Sequence, residues 1–409
     1  MEKKINLFTK LYPWYSGFTG DLLFYIAIDT LFLSIVKDFS PAQIVSITSL
    51  SQLTCIALQF PVLFIIKRMG NTISIRVGAM FLLLSAVFIT FGKSYYFVLL
   101  GRILHDVAAI FRSASFVMLE NNLELVNKRH DFVRIRTLAN TVYAIVTMLI
   151  SFVASYMFNI NHYLPMMGCI TTCTIGFILS LFIKDYSDYN KITYKKKNDE
   201  RAKLHYGKFI IMSIVVYALF YTIVTSGQSE GKLFIQQHIL LDFSVDNTSL
   251  IIGVIICISR IIRVFSNVIF DRLYYIYREK MGVVLTLLLV SSMVFILFGS
   301  FIPQIYFKIS VMAAGYIIIL FVRDPFRIYM QDVIFENTPK EQHQTLLTTL
   351  EFGVKLGTAA MGLSFSAILL DYPMIMVMVI MFVISILELI FSVKLYKMVL
   401  TAKNIKKDI

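Results

Sequence analysis

Apolar runs of about twenty residues, separated by short polar stretches, recur from one end of the chain to the other. Twelve stand out, at residues 11–36, 44–66, 73–91, 95–119, 138–158, 164–183, 209–226, 249–270, 281–298, from 304 onward, 346–370 and 374–393. A helix rising ~1.5 Å per residue needs ~20 apolar residues to cross a hydrocarbon core ~30 Å thick. The pattern predicts an all-α membrane protein with twelve transmembrane helices. Residues 227–247, with Glu230, Gly231 and Lys232, leave open whether span 7 continues or breaks.

Polar residues break the apolar pattern in a few places, most densely in the fourth run. YYFVLLGRILHDVAAIFRSASFVML (Tyr95–Leu119) holds Arg102, His105, Asp106 and Arg112. At ~100° per residue, positions 102, 105, 106, 109 and 112 fall on one helical stripe. A charge at membrane depth costs at least ~2.5–3.5 kcal/mol, so such a stripe faces protein or water. It reads either as a buried ion-pair network or as one wall of a polar pathway. Span 1 carries Asp21, Tyr25 and Asp29 at a spacing of four, on one broad face, with Trp14 and Tyr15 as interface aromatics. Span 7 offers Tyr217 and Tyr221. Arg323 and Asp324 in span 10, with Glu351 and Lys355 in span 11, read as an inner charge network, either a gate or a static cluster. Arg260 and Arg263 in span 8 read as snorkelling toward the interface.

The longest polar stretch, Asp185–Lys208, includes Lys195, Lys196, Lys197, Arg201 and Lys203 and reads as a flexible linker. It divides the chain into a six-helix bundle at 1–184, a basic cytoplasmic linker at 185–208, and a second six-helix bundle with its tail at 209–409. At an offset of 210 the halves resemble each other: Phe111 falls on Phe321, Phe116 on Phe326 and Asn127 on Asn337. Two pseudo-symmetric bundles around a central cavity, lined by spans 1, 4, 7 and 10, are a known transporter plan.

The formal net charge of +13 suggests a nucleic-acid partner until its placement is considered. The basic residues concentrate in alternate loops (Lys67, Arg68, Arg129, Arg134, Lys195–Lys197, Arg272, Lys280, Lys406, Lys407), which is a topology signal. It predicts a multi-pass cell-membrane protein with both termini cytoplasmic and no nucleic-acid partner. Composition agrees, with 58% hydrophobic residues and a mean hydropathy of +0.76. Cys55, Cys169, Cys173 and Cys257 all lie in apolar spans and read as small packing residues. No HExxH, P-loop or Cys/His metal set occurs, so neither an enzyme nor a cofactor or metal is expected.

These features resemble the major facilitator superfamily over essentially the whole chain. The family's GxxxDRxGRR loop between spans 2 and 3 is matched at Leu63–Thr72 by Arg68 and Gly70, with Lys67 replacing the acidic residue. The second-half equivalent keeps Asp271-Arg272 and lacks the glycines. The resemblance implies that Arg68, Asp271 and Arg272 take part in a conformational latch. The RxxxG pattern of span 4 is matched at Arg102, with Asp106 in place of the glycine, which implies a part for Arg102 in proton coupling. The Gly-Pro-rich pattern that exporters of the family often carry in span 5 is absent from Thr141–Tyr156.

The expected function is alternating-access secondary transport, with proton-coupled export of a small amphipathic organic compound. The alternative is proton-coupled uptake of a polar nutrient such as a sugar or peptide. A non-transporting membrane sensor is a third class. The expected partners are a small-molecule substrate, protons and the lipid bilayer, with the protein a monomer. Asp21 and Asp106 are read as the protonatable pair, Arg102 as their partner and His105 as a relay.

Overall fold

The computed structural model describes residues 2–128, 131–187, 207–277, 280–338 and 343–407, and among these there is no strand. Fourteen α-helices run in order: α1 Glu2–Phe18, α2 Tyr25–Leu31, α3 Pro41–Met69, α4 Asn71–Phe91, α5 Tyr95–Arg112, α6 Ala114–Glu124, α7 Phe132–Ile160, α8 Leu164–Phe182, α9 Lys208–Leu240, α10 Val245–Tyr277, α11 Met281–Gly299, α12 Ile305–Asn337, α13 His343–Asp371 and α14 Met374–Lys407. Ten are long and apolar enough to cross a membrane. The other two spans, 1 and 4, are both interrupted. Span 1 is α1 and α2 with an irregular segment between them, and it ends in a π-helical turn, Phe32–Val36. Span 4 is α5 and α6, interrupted at Ser113. The twelve-span, all-helical architecture follows.

Two expectations change. Asp21 does not lie on a continuous helix with Tyr25 and Asp29, because the backbone leaves the helix between Phe18 and Tyr25. The segment there is Thr19-Gly20-Asp21-Leu22-Leu23-Phe24, and Gly20 packs so closely that a Cβ would stand 2.5 Å from the Tyr143 ring. Span 7, by contrast, continues unbroken to Leu240 through Glu230-Gly231-Lys232.

Contacts divide the chain into two units. One is Met1–Phe39, Leu50–Lys197 and Val245–Cys257; the other is Ser40–Ser49, Asn198–Ser244 and Ile258–Ile409. The first ends of α3 and α10 thus group with the opposite unit from the rest of each helix. Within each unit the internal pairing repeats. Span 3 packs mainly on span 4 (α4 on α5), span 1 on span 5 (α1 on α7), and span 3 on span 6 (α4 on α8). In the second unit the equivalents are α11 on α12, α9 on α13, and α11 on α14. The apolar core of the first unit includes Phe8, Tyr12, Tyr15, Ile75, Phe111 and Met118. Tyr15 is therefore a core residue and not an interface aromatic, whereas Trp14 is half exposed, at 51%.

Loop chemistry fixes the ends of the spans. Gly70, at φ +77°, joins α3 to α4 in a conformation that glycine adopts freely. Lys37 donates to the carbonyls of Thr90 (2.7 Å) and Gly92 (2.8 Å) at the C-terminal end of α4. Partial burial there pulls its ammonium below the ordinary lysine value.

The start of the 185–208 stretch is held against the first unit. Asp185 accepts hydrogen bonds from Asn71 (2.7 Å) and Asn121 (3.2 Å), and its N–H donates to Thr72 (2.9 Å). Asn122 adds bonds to the Lys184 carbonyl and the Tyr186 N–H. Residues 188–206, with Lys195–Lys197, Arg201 and Lys203, lie outside the described residues. The four cysteines are free thiols.

Candidate functional site

Local structure explains why polar groups gather in the first unit. Where α1 stops, the carbonyls of Thr19 and Gly20 lose their helical partners, and each buried orphan is costly. The Arg112 guanidinium, at the end of α5, donates to both. Arg112 thus terminates the broken helix.

One residue past those carbonyls, Asp21 faces His105. Its Oδ1 lies 2.8 Å from His105 Nε2 and accepts from the Leu22 N–H at 2.8 Å. The other ring nitrogen, Nδ1, lies 2.9 Å from Asp106 Oδ1. Asp106 Oδ2 accepts from Ser51 on α3 at 2.8 Å. The imidazole therefore bridges carboxylates from span 1 and span 4. Two such contacts require two protons shared among three groups. Either the ring is an imidazolium between two carboxylates, or it is neutral with one carboxyl protonated. Both forms carry a net charge of −1, and losing a further proton breaks one contact.

Arg102 does not act as the hydrogen-bonding partner of the two carboxylates. Its Nε is 3.9 Å from Asp106 Oδ1 and has no hydrogen-bond partner. It lies instead within electrostatic reach of Asp106, Tyr25, Asp21 and Asp29. The reason is geometric: the break in span 1 brings Asp21 to the ring of His105, and Asp106 is its neighbour in sequence. Tyr25 is buried at the start of α2, and Asp29 accepts from the Thr30 N–H at 2.6 Å. Asp21, Tyr25, Asp29, Arg102, His105 and Asp106 are thus brought together.

The second unit assembles a different group. Arg263 on α10 grips Asp324 on α12 with two bonds, Nε to Oδ2 at 2.7 Å and Nη2 to Oδ1 at 3.0 Å. Arg263 is thus fixed inside the unit and does not snorkel. Arg323 donates to Gln228 at 3.2 Å, and its carbonyl accepts from the Tyr221 hydroxyl. Tyr217 donates to Glu351 at 3.2 Å, and Arg327 pairs with Glu351 at 3.4 Å while lying 5.5 Å from the Tyr221 ring centroid. Glu351 thus pairs across helices with Arg327 and not with Lys355 one turn along α13. The Nε2 of Gln228 and the Nε of Arg260 and Arg327 are buried donors without hydrogen-bond partners.

Arg68 is exposed and rests on the Phe64 ring, 4.3 Å from its centroid. Asp271 and Arg272 lie on α10, and their side chains fall outside the described residues.

Sequence reasoning missed Ser51 and Gln228 as partners, since lone polar residues in apolar spans are common. The partnership of Arg263 with Asp324 had a signal: an arginine and an aspartate, each within an apolar span, need one another.

The family model of the Major Facilitator Superfamily matches residues 15–332. No curated protein matches the chain in sequence. Among solved structures, the nucleoside transporter NupG is similar with a TM-score of 0.76 and 11% identity, over 96% of this chain and 98% of that one. A bacterial homologue of the iron transporter ferroportin, in an inward-facing state, gives 0.67 and 11% over 97% and 99%. A D-xylose-proton symporter gives 0.67 and 13% over 95% and 96%. At such identities the likeness is one of fold.

Proposed function

The chain belongs to the major facilitator superfamily of secondary transporters, and from that premise we propose that it couples the movement of a small organic solute to protons. The observation that carries this reading is the His105 bridge between Asp21 and Asp106. A proton leaving or joining this triad breaks or makes a link between span 1 and span 4. A ligand, proton included, biases a two-state structure only through a difference in interaction between the states. The triad supplies such a difference. Asp29 and Arg102 set the electrostatic background, and Arg112 keeps the broken end of span 1 in place.

We assign export of an amphipathic compound as the first reading. The excess of carboxylates around Arg102 and His105 favours a solute with a basic group. A second reading, uptake of a polar solute of the sugar or peptide class, is favoured by the buried unpartnered donor of Gln228 beside Arg323, Tyr221 and Tyr217. Residence in the cell membrane with both termini cytoplasmic, and action as a monomer, complete the proposal.

The test is proton movement into proteoliposomes loaded with a pH-sensitive dye and challenged with amphipathic amines, antibiotics, sugars and peptides. The wild type is compared with Asp21→Asn and Asp106→Asn. Substrate-evoked flux that disappears in either variant is the expected result. Equal flux in all three proteins would refute the triad as the proton site. Export-type exchange with amines and symport with sugars separate the two readings.

A further inference from the structure

Span 12 enters none of this chemistry, yet it holds a carboxylate in the interior of the second unit. Glu388 on α14 is fully buried, as are Thr286 on α11 and, to 4%, Ser392 one turn after Glu388. A glutamate enclosed at membrane depth requires something to answer its charge. Among the described residues no Lys, Arg or His forms an ion pair with it, and its Oε2 has no partner at all.

The spacing of the oxygens is informative. The Thr286 hydroxyl lies 2.9 Å from the Gly282 carbonyl, the natural acceptor of its proton. Its lone pairs then face Glu388 Oε1 at 3.4 Å and Ser392 Oγ at 3.3 Å. Both separations are longer than the ~2.5–3.0 Å of a well-formed O–H···O hydrogen bond, so the contacts hold the carboxylate only weakly. They do suit oxygens sharing a cation. Around an ion of calcium's size, ligated at ~2.4 Å, neighbouring octahedral ligands lie ~3.4 Å apart. Sodium has that size. A single carboxylate balances one positive charge, whereas a divalent ion would leave an uncompensated charge inside the bilayer.

We propose that Glu388, Thr286 and Ser392 form a site for one sodium ion that ties α11 to α14. The carboxylate supplies two ligands, Oε1 and the otherwise orphaned Oε2. Thr286 lies five residues from the start of α11, about 7–8 Å along the helix, so the ion has a short way in from that end. The site is separate from the His105 triad and does not depend on its role.

The test uses the purified full-length protein. Thermal unfolding is followed in sodium, potassium and choline chloride at constant ionic strength, and sodium-22 binding is measured by equilibrium dialysis. The expected result is a saturable, sodium-specific rise in melting temperature with one ion bound per chain. Glu388→Gln, which keeps the shape and removes the charge, lowers sodium affinity roughly a hundredfold, since ligand charge sets affinity at such sites. Thr286→Val, also isosteric, weakens it about tenfold by removing one ligand. Equal melting in sodium and choline would overturn the proposal. So would sodium binding retained in Glu388→Gln, or a melting temperature that follows pH and ignores sodium.

Discussion

Arg112 offers the sharpest check on how the first span is built. Replacing it with methionine keeps most of the side-chain volume and removes both donors. The carbonyls of Thr19 and Gly20 are then left without the guanidinium that both accept from. An unsatisfied buried carbonyl costs about 1–3 kcal/mol, so the pair costs about 2–6 kcal/mol. Relief of the arginine's own desolvation offsets part of this, which places the expectation near the lower half of that range. For a folding unit of about 200 residues, each 1 kcal/mol moves the melting temperature by about 2–4 °C. Arg112→Met should therefore melt roughly 4–16 °C below the wild type. Arg112→Lys, able to reach one carbonyl, should lie between them. The chain provides its own probe, because its single tryptophan is Trp14 on α1. Trp14 fluorescence reports α1, and circular dichroism reports the whole helical content. If Arg112 secures the broken end, the tryptophan transition in the methionine variant precedes the global one. Coincident melting of wild type, lysine and methionine variants, within about 1 °C, would refute this account of the break.

Three further outcomes follow from the same geometry. His105→Gln removes the only group in the bridge that titrates near neutrality when unperturbed; flux in proteoliposomes should lose most of its dependence on pH between 5 and 8, and a wild-type profile in this variant would dismiss His105 as a relay. Breaking the Arg263–Asp324 pair one partner at a time should cost about 3–5 kcal/mol for each single variant, whereas Arg263→Met combined with Asp324→Leu should recover most of it, as read by denaturant unfolding. Additive losses would mean that the two residues do not interact. Asp185→Ala should free the segment after α8, which limited proteolysis detects as faster cleavage between residues 185 and 207. Unchanged cleavage would show that the asparagine bracket does not hold it.

The spans were legible because apolar runs of about twenty residues have few other uses, and the stripe from Arg102 to Arg112 announced a polar interior. The interruption of span 1 was harder to see. Its sequence stays apolar around Gly20 and Asp21, and a period of four through Asp21, Tyr25 and Asp29 reads equally well on a continuous helix. The bend depends on Arg112, ninety-odd residues away, and on the Tyr143 ring that fills the space beside Gly20. No local pattern encodes either. The same holds for His105: its place between two carboxylates depends on the break. Arg263 could have been paired with Asp324 by charge alone, but its position toward the end of an apolar run made snorkelling an equally good account. Glu388 sits in a span so apolar that a single acidic residue drew no notice.

The break in span 1 also bears on how the chain enters its membrane. This span falls outside the ten helices that qualify as membrane-crossing on length and composition. It leaves the ribosome ahead of span 4, with Asp21 in it and His105 not yet made. His105 follows 84 residues after Asp21, which at ~5–20 residues per second is a delay of about 4–17 s. Throughout that interval the insertion machinery must shelter a segment that bare lipid would reject. Span 1 is thus made well before the helix whose side chains secure it.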